Sequence, residues 1–122
     1  MFYVPLYSVD DSPPILGTFP KDRDDAADYF LNAEQLGAKD WTIIIDGHST
    51  PVGTEFFAGP ASTPPLLDGG GTHMLILGVF LTPLTLGEHA IRFSGELAGA
   101  AVIQAYGGPI TEDITYSVTV VP

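Results

Sequence analysis

The chain has 122 residues, with four Lys and Arg against fifteen Asp and Glu, and a formal net charge of −11 at pH 7. A field of that sign repels phosphate backbones and anionic lipids, so neither nucleic acid nor a membrane surface is an expected partner. Membrane insertion is not expected either, because no apolar run reaches the length of a spanning helix. Cysteine is absent, which excludes disulfides and Cys-ligated zinc. The 45% apolar content with 14 Gly and 11 Pro predicts one domain over residues 1–122, built from short elements and many turns.

The N-terminal segment from Met1 to Val9 alternates aromatic and β-branched residues and predicts a strand. Pro5 lacks an N–H, so this strand is expected at the edge of a sheet. The strand is expected to end in a loop at Asp10-Asp11-Ser12-Pro13-Pro14. The segment has no basic n-region and is not expected to be a signal peptide as it stands.

One helix is predicted, over residues 24–36. Asp22 is placed to cap it, Asp24 and Asp25 favour the positive end of its dipole, and Gly37 suits its C-terminal end. Five apolar side chains recur at a period of 3.6 residues and form its expected buried face: Ala26, Tyr29, Phe30, Ala33 and Leu36.

The rest of the chain has strand periodicity. Trp41, Ile43 and Ile45 share one face before an Asp46-Gly47 turn, which predicts a hairpin. A short strand is expected over residues 55–58 and an irregular loop over residues 59–68. Residues 74–81 are apolar on both faces, which predicts a central strand covered on both sides. Further strands are expected over residues 89–94, 102–106 and 111–121. Together these elements predict a mainly β fold: an antiparallel β-sandwich, immunoglobulin-like or jelly-roll-like, with one short helix.

Catalytic motifs are not evident. The sequence has no G-x-S-x-G and no S-x-x-K, and His48, His73 and His89 do not have the spacing of a zinc site. His89 lies in phase with Ile91 and Phe93, so we expect a strand-end histidine with its ring against the core and one nitrogen bonded to the backbone. No catalytic residue is therefore assigned.

Two kinds of binding site remain open. Phe56, Phe57 and Tyr106 lie near Gly- and Pro-rich loops and are the candidate ligand-binding residues, because exposed aromatic rings are platforms for sugars. Four carboxylates offer oxygen ligands for calcium, although none follows the spaced calcium loop: Asp10, Asp11, Asp24 and Asp25. No cofactor beyond this calcium is expected.

Four segments together resemble a known group of proteins: FYVPLYSVDD, WTIIIDG, FLTPLTLGEHAIRFSG and EDITYSVTVV. The chain is similar over residues 2–121 to bacterial secreted or cell-surface proteins of unassigned function, which share P-L-x-x-G-x-H-x-I-x-F-x-G and D-x-T-Y-x-V-T-V segments. The resemblance implies export and a β-sandwich, and it supplies no catalytic residues. Such proteins usually carry a further lead segment, so an uncovered sheet edge and self-association through it are also expected.

The leading functional hypothesis is therefore a secreted or cell-envelope, non-catalytic module that binds carbohydrate or another extracellular partner, or serves structurally. A small hydrolase using acidic residues and histidine is one alternative. A calcium-stabilised adhesion or assembly subunit, joined through sheet edges, is the other.

Overall fold

The structure, a computed structural model, describes residues 2–122. These residues form seven strands, two short helices and a 3-10 turn over Thr54–Phe56. The elements in chain order are β1 (Phe2–Asp10), α1 (Arg23–Leu31), β2 (Ala38–Ile45), β3 (His48–Pro51), β4 (Phe57–Ser62), β5 (His73–Leu81), β6 (Gly87–Leu97), α2 (Ala100–Tyr106) and β7 (Ile110–Val120).

The strands form two antiparallel sheets, which confirms the predicted fold class. The three-stranded sheet has the order β1-β5-β4, and the four-stranded sheet has the order β3-β2-β6-β7. Every pairing between the described strands is antiparallel, and α2 joins β6 to its antiparallel neighbour β7 rather than forming a crossover between parallel strands. The two sheets present apolar faces to one cluster of buried residues, in the manner of a β-sandwich.

The buried cluster draws on both sheets and on α1. Phe30 of α1 lies between Trp41 of the four-stranded sheet and Phe57 of the three-stranded sheet, with ring centroids 5.9 and 5.0 Å away. The Trp41 indole donates a hydrogen bond to the Glu96 carbonyl at 3.2 Å, so its one polar atom is satisfied. The helix thus closes the side of the sandwich near β4 and β2.

Several predicted strands are confirmed. Residues 41–45 lie in β2, which pairs with β3 across the Asp46-Gly47 turn. Both turn residues have positive φ, 48° and 84°, as a tight hairpin requires. β1 is an edge strand that contains Pro5, and the last strand runs from Ile110 to Val120. Met1, the first residue of the predicted N-terminal strand, lies outside the described residues.

The helix is shorter than the predicted span of 24–36. Asp22 caps α1 as expected, since its carboxylate accepts the Asp25 N–H at 2.9 Å. α1 nevertheless ends at Leu31, because the Asn32 side chain accepts the Glu34 N–H at 2.9 Å and turns the chain. Leu36 still reaches the core from this turn, whereas Ala33 is exposed and not part of the buried face.

The predicted strand over residues 102–106 is wrong. This segment is α2, in which Val102 is buried and Gly107 ends the helix with φ 81° and an N–H bonded to the Ile103 carbonyl. Ala and Gln favour a helix here, and a short apolar run alone does not distinguish the two states.

The 3-10 turn, β4 and β5 also differ from prediction. Of the strand predicted over residues 55–58, residues 57 and 58 lie in β4, whereas 55 and 56 belong to the 3-10 turn. β4 continues to Ser62, so residues 59–62 are strand and not part of the predicted irregular loop. β5 is central, as predicted, but only its inner face is fully covered: Leu75, Leu77, Val79 and Leu81 are buried, while Phe80 is exposed. On its outer face Met74 and Ile76 are half-buried, and the Tyr3 ring lies over Gly78.

Candidate functional site

A shallow groove of about 270 Å³ lies on the outer face of the three-stranded sheet. Tyr3 of β1 and Phe80 of β5 are cross-strand neighbours, with ring centroids 4.7 Å apart and planes inclined by 48°. Phe56, from the 3-10 turn before β4, also lines the groove. The sheet thus brings together three aromatic side chains from three separate parts of the chain.

Gly78 forms part of the floor of this groove. The Tyr3 ring lies directly over it, and a Cβ atom at position 78 would overlap the ring and its hydroxyl. A residue with a side chain would therefore displace Tyr3. The absence of a side chain at this position allows the aromatic ring to lie flat against the sheet.

Polar groups lie at one end of the groove. Glu55 lines it, and the Arg23 guanidinium donates a hydrogen bond to the Glu55 carbonyl at 3.1 Å, which joins α1 to the 3-10 turn. Burial raises the pKa of the Tyr3 phenol, so its hydroxyl stays protonated at neutral pH and remains a donor and acceptor. The groove therefore combines an apolar surface with a few hydrogen-bonding groups.

The three aromatic residues predicted to bind a ligand do not form one site. Phe56 lines the groove, as described above. Phe57 also contributes to the lining of the groove, but it is buried and its ring packs edge-on against Phe30, so it is not an exposed platform. Tyr106 is 66% exposed at the end of α2, on a different element from the groove.

The sequence reasoning missed Tyr3, Gly78 and Phe80. Phe80 alternates with the buried positions of β5, which places it on the opposite face of the strand. Its hydrophobicity suggested burial, whereas Gly78 in the middle of the same strand was the available signal of a close approach by another group. Tyr3 is the group that approaches.

The His89 ring has two hydrogen-bonding partners: the backbone carbonyl expected from the sequence and a carboxylate that was not expected. Its Nε2 lies 2.8 Å from the Thr85 carbonyl, and its Nδ1 lies 2.6 Å from Oδ2 of Asp46. The hydrogen bond to Asp46, followed by that to Thr85, raises the His89 pKa. Because both ring nitrogens point at acceptors, neither is available to take a proton from a substrate.

Asp11 makes a second histidine pair. Its Oδ2 lies 2.8 Å from His73 Nδ1, and its Oδ1 accepts the N–H groups of Thr72 and His73 at 2.7 and 3.0 Å. These bonds, the His73 N–H first, lower the Asp11 pKa. The predicted calcium ligand thus ties the end of β1 to the start of β5, while the Asp10 Oδ1 accepts the Ser12 N–H at 2.8 Å.

The other two candidate calcium ligands lie in α1. Asp24 and Asp25 are exposed in its first turn, where carboxylates are favoured by the helix dipole without any metal. No group of three or more His, Cys, Asp or Glu side chains in residues 2–122 is arranged to hold a metal ion. The four acidic residues therefore lie in two separate parts of the chain, and the Asp10 and Asp11 carboxylates already accept hydrogen bonds.

Neither of the two helices found between residues 2 and 122 has the length and apolarity needed to cross a membrane. Comparison of the chain with protein-family models, with curated proteins and with solved structures gave no match.

Proposed function

We propose that the protein is a non-catalytic, secreted or cell-envelope β-sandwich module that binds a neutral polysaccharide in the groove formed by Tyr3, Phe56 and Phe80. The observation that carries the proposal is the Phe80 ring, which is 68% exposed on the face of a sheet and paired with Tyr3. An aromatic pair held on a sheet face, rather than in the core, offers a ready surface for a flat apolar ligand.

The chemistry of the groove suits a sugar ring. One face of a pyranose carries polarised C–H groups, which the electron-rich face of an aromatic ring attracts, and its edge carries hydroxyls. Phe80 and Phe56 supply the apolar surface, while the Tyr3 hydroxyl and the Glu55 carboxylate supply hydrogen-bonding partners. The site therefore has both parts that sugar recognition requires.

Charge favours a neutral glycan over an acidic one. The net charge of −11 and the Glu55 carboxylate at the groove repel uronic acids and sulfated sugars. A neutral chain is not repelled, and its binding should change little with ionic strength.

The size of the groove favours a short stretch of a polymer. Its volume of about 270 Å³ is slightly below the roughly 300–1,000 Å³ of a pocket that encloses a small molecule. A shallow site of this size contacts one or two sugar rings and leaves the rest of the chain in solvent. A polymeric partner of this kind agrees with the export that the resemblance to secreted proteins implies.

The experiment is a binding assay with neutral and acidic glycans, on an array and then with the soluble polysaccharides it identifies. We expect binding to neutral glycans that is insensitive to salt. Phe80→Ala should weaken it about tenfold or more, since truncating an aromatic hot-spot residue costs about 2 kcal/mol or more and about 1.4 kcal/mol is tenfold in affinity.

Tyr106→Ala is the matched control, because Tyr106 is 66% exposed, close to the 68% of Phe80, but lies outside the groove. Its binding should equal that of the wild type. A blank array with folded protein, or equal loss in both variants, would reject the groove as a sugar site.

A further inference from the structure

The four edge strands of the two sheets differ in how well they resist pairing with another chain. Proline, bulges and short length are the usual features that protect an edge. β1 contains Pro5 and a register shift between Pro5 and Tyr7. β4 contains Pro60 and a shift between Ala58 and Ala61, and β3 has only four residues and ends at Pro51. Three of the four edges are therefore protected.

β7 has none of these features. It is 11 residues long, contains no Pro, Lys or Arg, and pairs with β6 in unbroken register from Ile110 to Val120. Its other side has no strand partner within residues 2–122, because β7 ends the sheet order β3-β2-β6-β7. It therefore presents a long, regular row of backbone donors and acceptors.

Part of the inner face of β7 is also uncovered. Ile114 and Tyr116 lie opposite Phe93 and Ile91, which are buried, so they point to the core side of the sheet. They are nevertheless 39% and 48% exposed. β7 therefore carries apolar side chains on its core-side face that residues 2–122 cover only in part.

The charges on β7 do not prevent close approach. Asp113 makes two hydrogen bonds of 2.7 Å to the Arg92 guanidinium of β6, which neutralises it and lowers its pKa. Glu112 is the other charged residue of the strand. All other positions from 110 to 120 are neutral, so the high net charge of the protein is not concentrated at this edge.

We propose that β7 pairs antiparallel with β7 of a second copy of this chain across a two-fold axis at Thr115. The two four-stranded sheets then join into one continuous sheet, with the same surface used by both subunits. This inference does not depend on the sugar site, which lies on the outer face of the other sheet.

The strand is self-complementary in this register. Ile114 lies opposite Tyr116 of the second copy and the reverse, so the exposed apolar side chains cover each other. Glu112 lies opposite Val118 of the second copy and Asp113 opposite Ser117, so carboxylates are not directly opposed. Self-pairing therefore satisfies the free backbone groups and covers the apolar side chains without opposing two carboxylates, which is why a second copy is the chosen occupant.

A single cysteine tests the pairing and its register, because the natural chain has none. In Thr115→Cys the two thiols face each other across the axis, with Cα atoms roughly 4.5–5.5 Å apart, and mild oxidation should link most of the protein as a dimer. In Ser117→Cys the two positions are offset by roughly 13 Å along the strands and should link at least tenfold less. Thr50→Cys, on the protected edge β3, is the control and should remain unlinked.

Association without a cross-link is measured by sedimentation equilibrium. The wild type should approach twice the 12.9 kDa mass of one chain at concentrations up to about 1 mM, the range of a weak complex. Thr115→Lys places two ammonium groups opposite each other and should raise the dissociation constant up to about fivefold, whereas Thr50→Lys should leave it unchanged. A wild type that is monomeric throughout, or equal cross-linking at positions 50 and 115, would overturn the proposal.

Discussion

Asp46, and not the adjacent Glu88, is the carboxylate partner of His89. Oδ2 of Asp46 lies 2.6 Å from His89 Nδ1, across 43 positions of the sequence, and Oδ1 accepts the Ala90 N–H at 2.9 Å. Neighbours along a strand point to opposite faces, so Glu88 is directed away from the ring. The Asp46–His89 pair joins the turn after β2 to the start of β6.

This pair should make stability fall as pH rises from neutral. The folded state raises the His89 pKa above 6.5, chiefly through the hydrogen bond to Asp46, so the protonated ring stabilises the fold. That contribution is complete below about pH 6.5 and is lost as pH rises through the raised pKa. We expect the midpoint of thermal unfolding to fall across that window in the wild type, and His89→Gln to be lower at pH 6 and to show a flatter profile.

Asp46 acts in the opposite direction at acid pH. The hydrogen bond to His89, and then that to the Ala90 N–H, lowers its pKa below 3.8, so its contribution is present above that pH and is lost as pH falls through the lowered value. His48→Gln is the comparison, because His48 is exposed and acts on Asp46 only through its charge, the smallest of the effects that lower the Asp46 pKa, so this variant should change the profile less than His89→Gln. If His48→Gln and His89→Gln give the same profile, the pair does not set the pH dependence.

Gly95→Ala should destabilise the sandwich. A Cβ atom at position 95 would overlap the buried Trp41 indole, and overpacking a core usually costs about 1–3 kcal/mol. Urea unfolding followed by the fluorescence of Trp41, the one Trp of the chain, measures the loss. Gly108→Ala is matched to it, since nothing lies within 4 Å of its Cβ position, and it reports the entropic effect of alanine alone. Equal stability of the two variants would contradict this packing.

Hydrophobic periodicity was sufficient to predict most strands, because β1, β2, β5 and β6 bury the side chains of one face. It failed where a local hydrogen bond or a neighbouring element decided the outcome. The apolar repeat of α1 continues to Leu36, yet the Asn32 side chain ends the helix, and the residues that follow reach the core from a turn. The segment that became α2 was too short for its periodicity to distinguish helix from strand.

The candidate groove was less accessible from sequence. Its aromatic rings come from β1, the 3-10 turn and β5, and strand order is needed to bring them together. Phe56 was identified from its position near a loop, but Phe80 was expected in the core because the pattern does not reveal which face of a fully apolar strand is covered. The partner of His89 also depends on strand order and could not be predicted, since Asp46 is its neighbour only in the folded sheet.

Asp22→Ala should destabilise α1 by about 1 kcal/mol. The Asp22 carboxylate accepts the Asp25 N–H at 2.9 Å, and loss of an N-cap of this kind typically costs about 0.5–2 kcal/mol. The effect is measured by urea unfolding and by hydrogen exchange in α1. Asp24 lies in the first turn of α1 but makes no capping hydrogen bond, so Asp24→Ala should lower the free energy of unfolding less than Asp22→Ala does. A larger decrease in Asp24→Ala would contradict the assigned cap.

Calcium should leave the stability of the protein unchanged. Of the four candidate ligands, Asp11 accepts three hydrogen bonds and Asp10 accepts one, while Asp24 and Asp25 lie on a separate helix, so the described residues offer no ready cage of oxygen atoms. Calcium at 100 times a dissociation constant would stabilise the folded state by about 2.7 kcal/mol, which is easily seen in a melting curve. Melting is therefore compared in calcium, in magnesium and in EDTA. A calcium-specific rise that Asp11→Asn removes would restore the calcium-stabilised subunit as the better hypothesis.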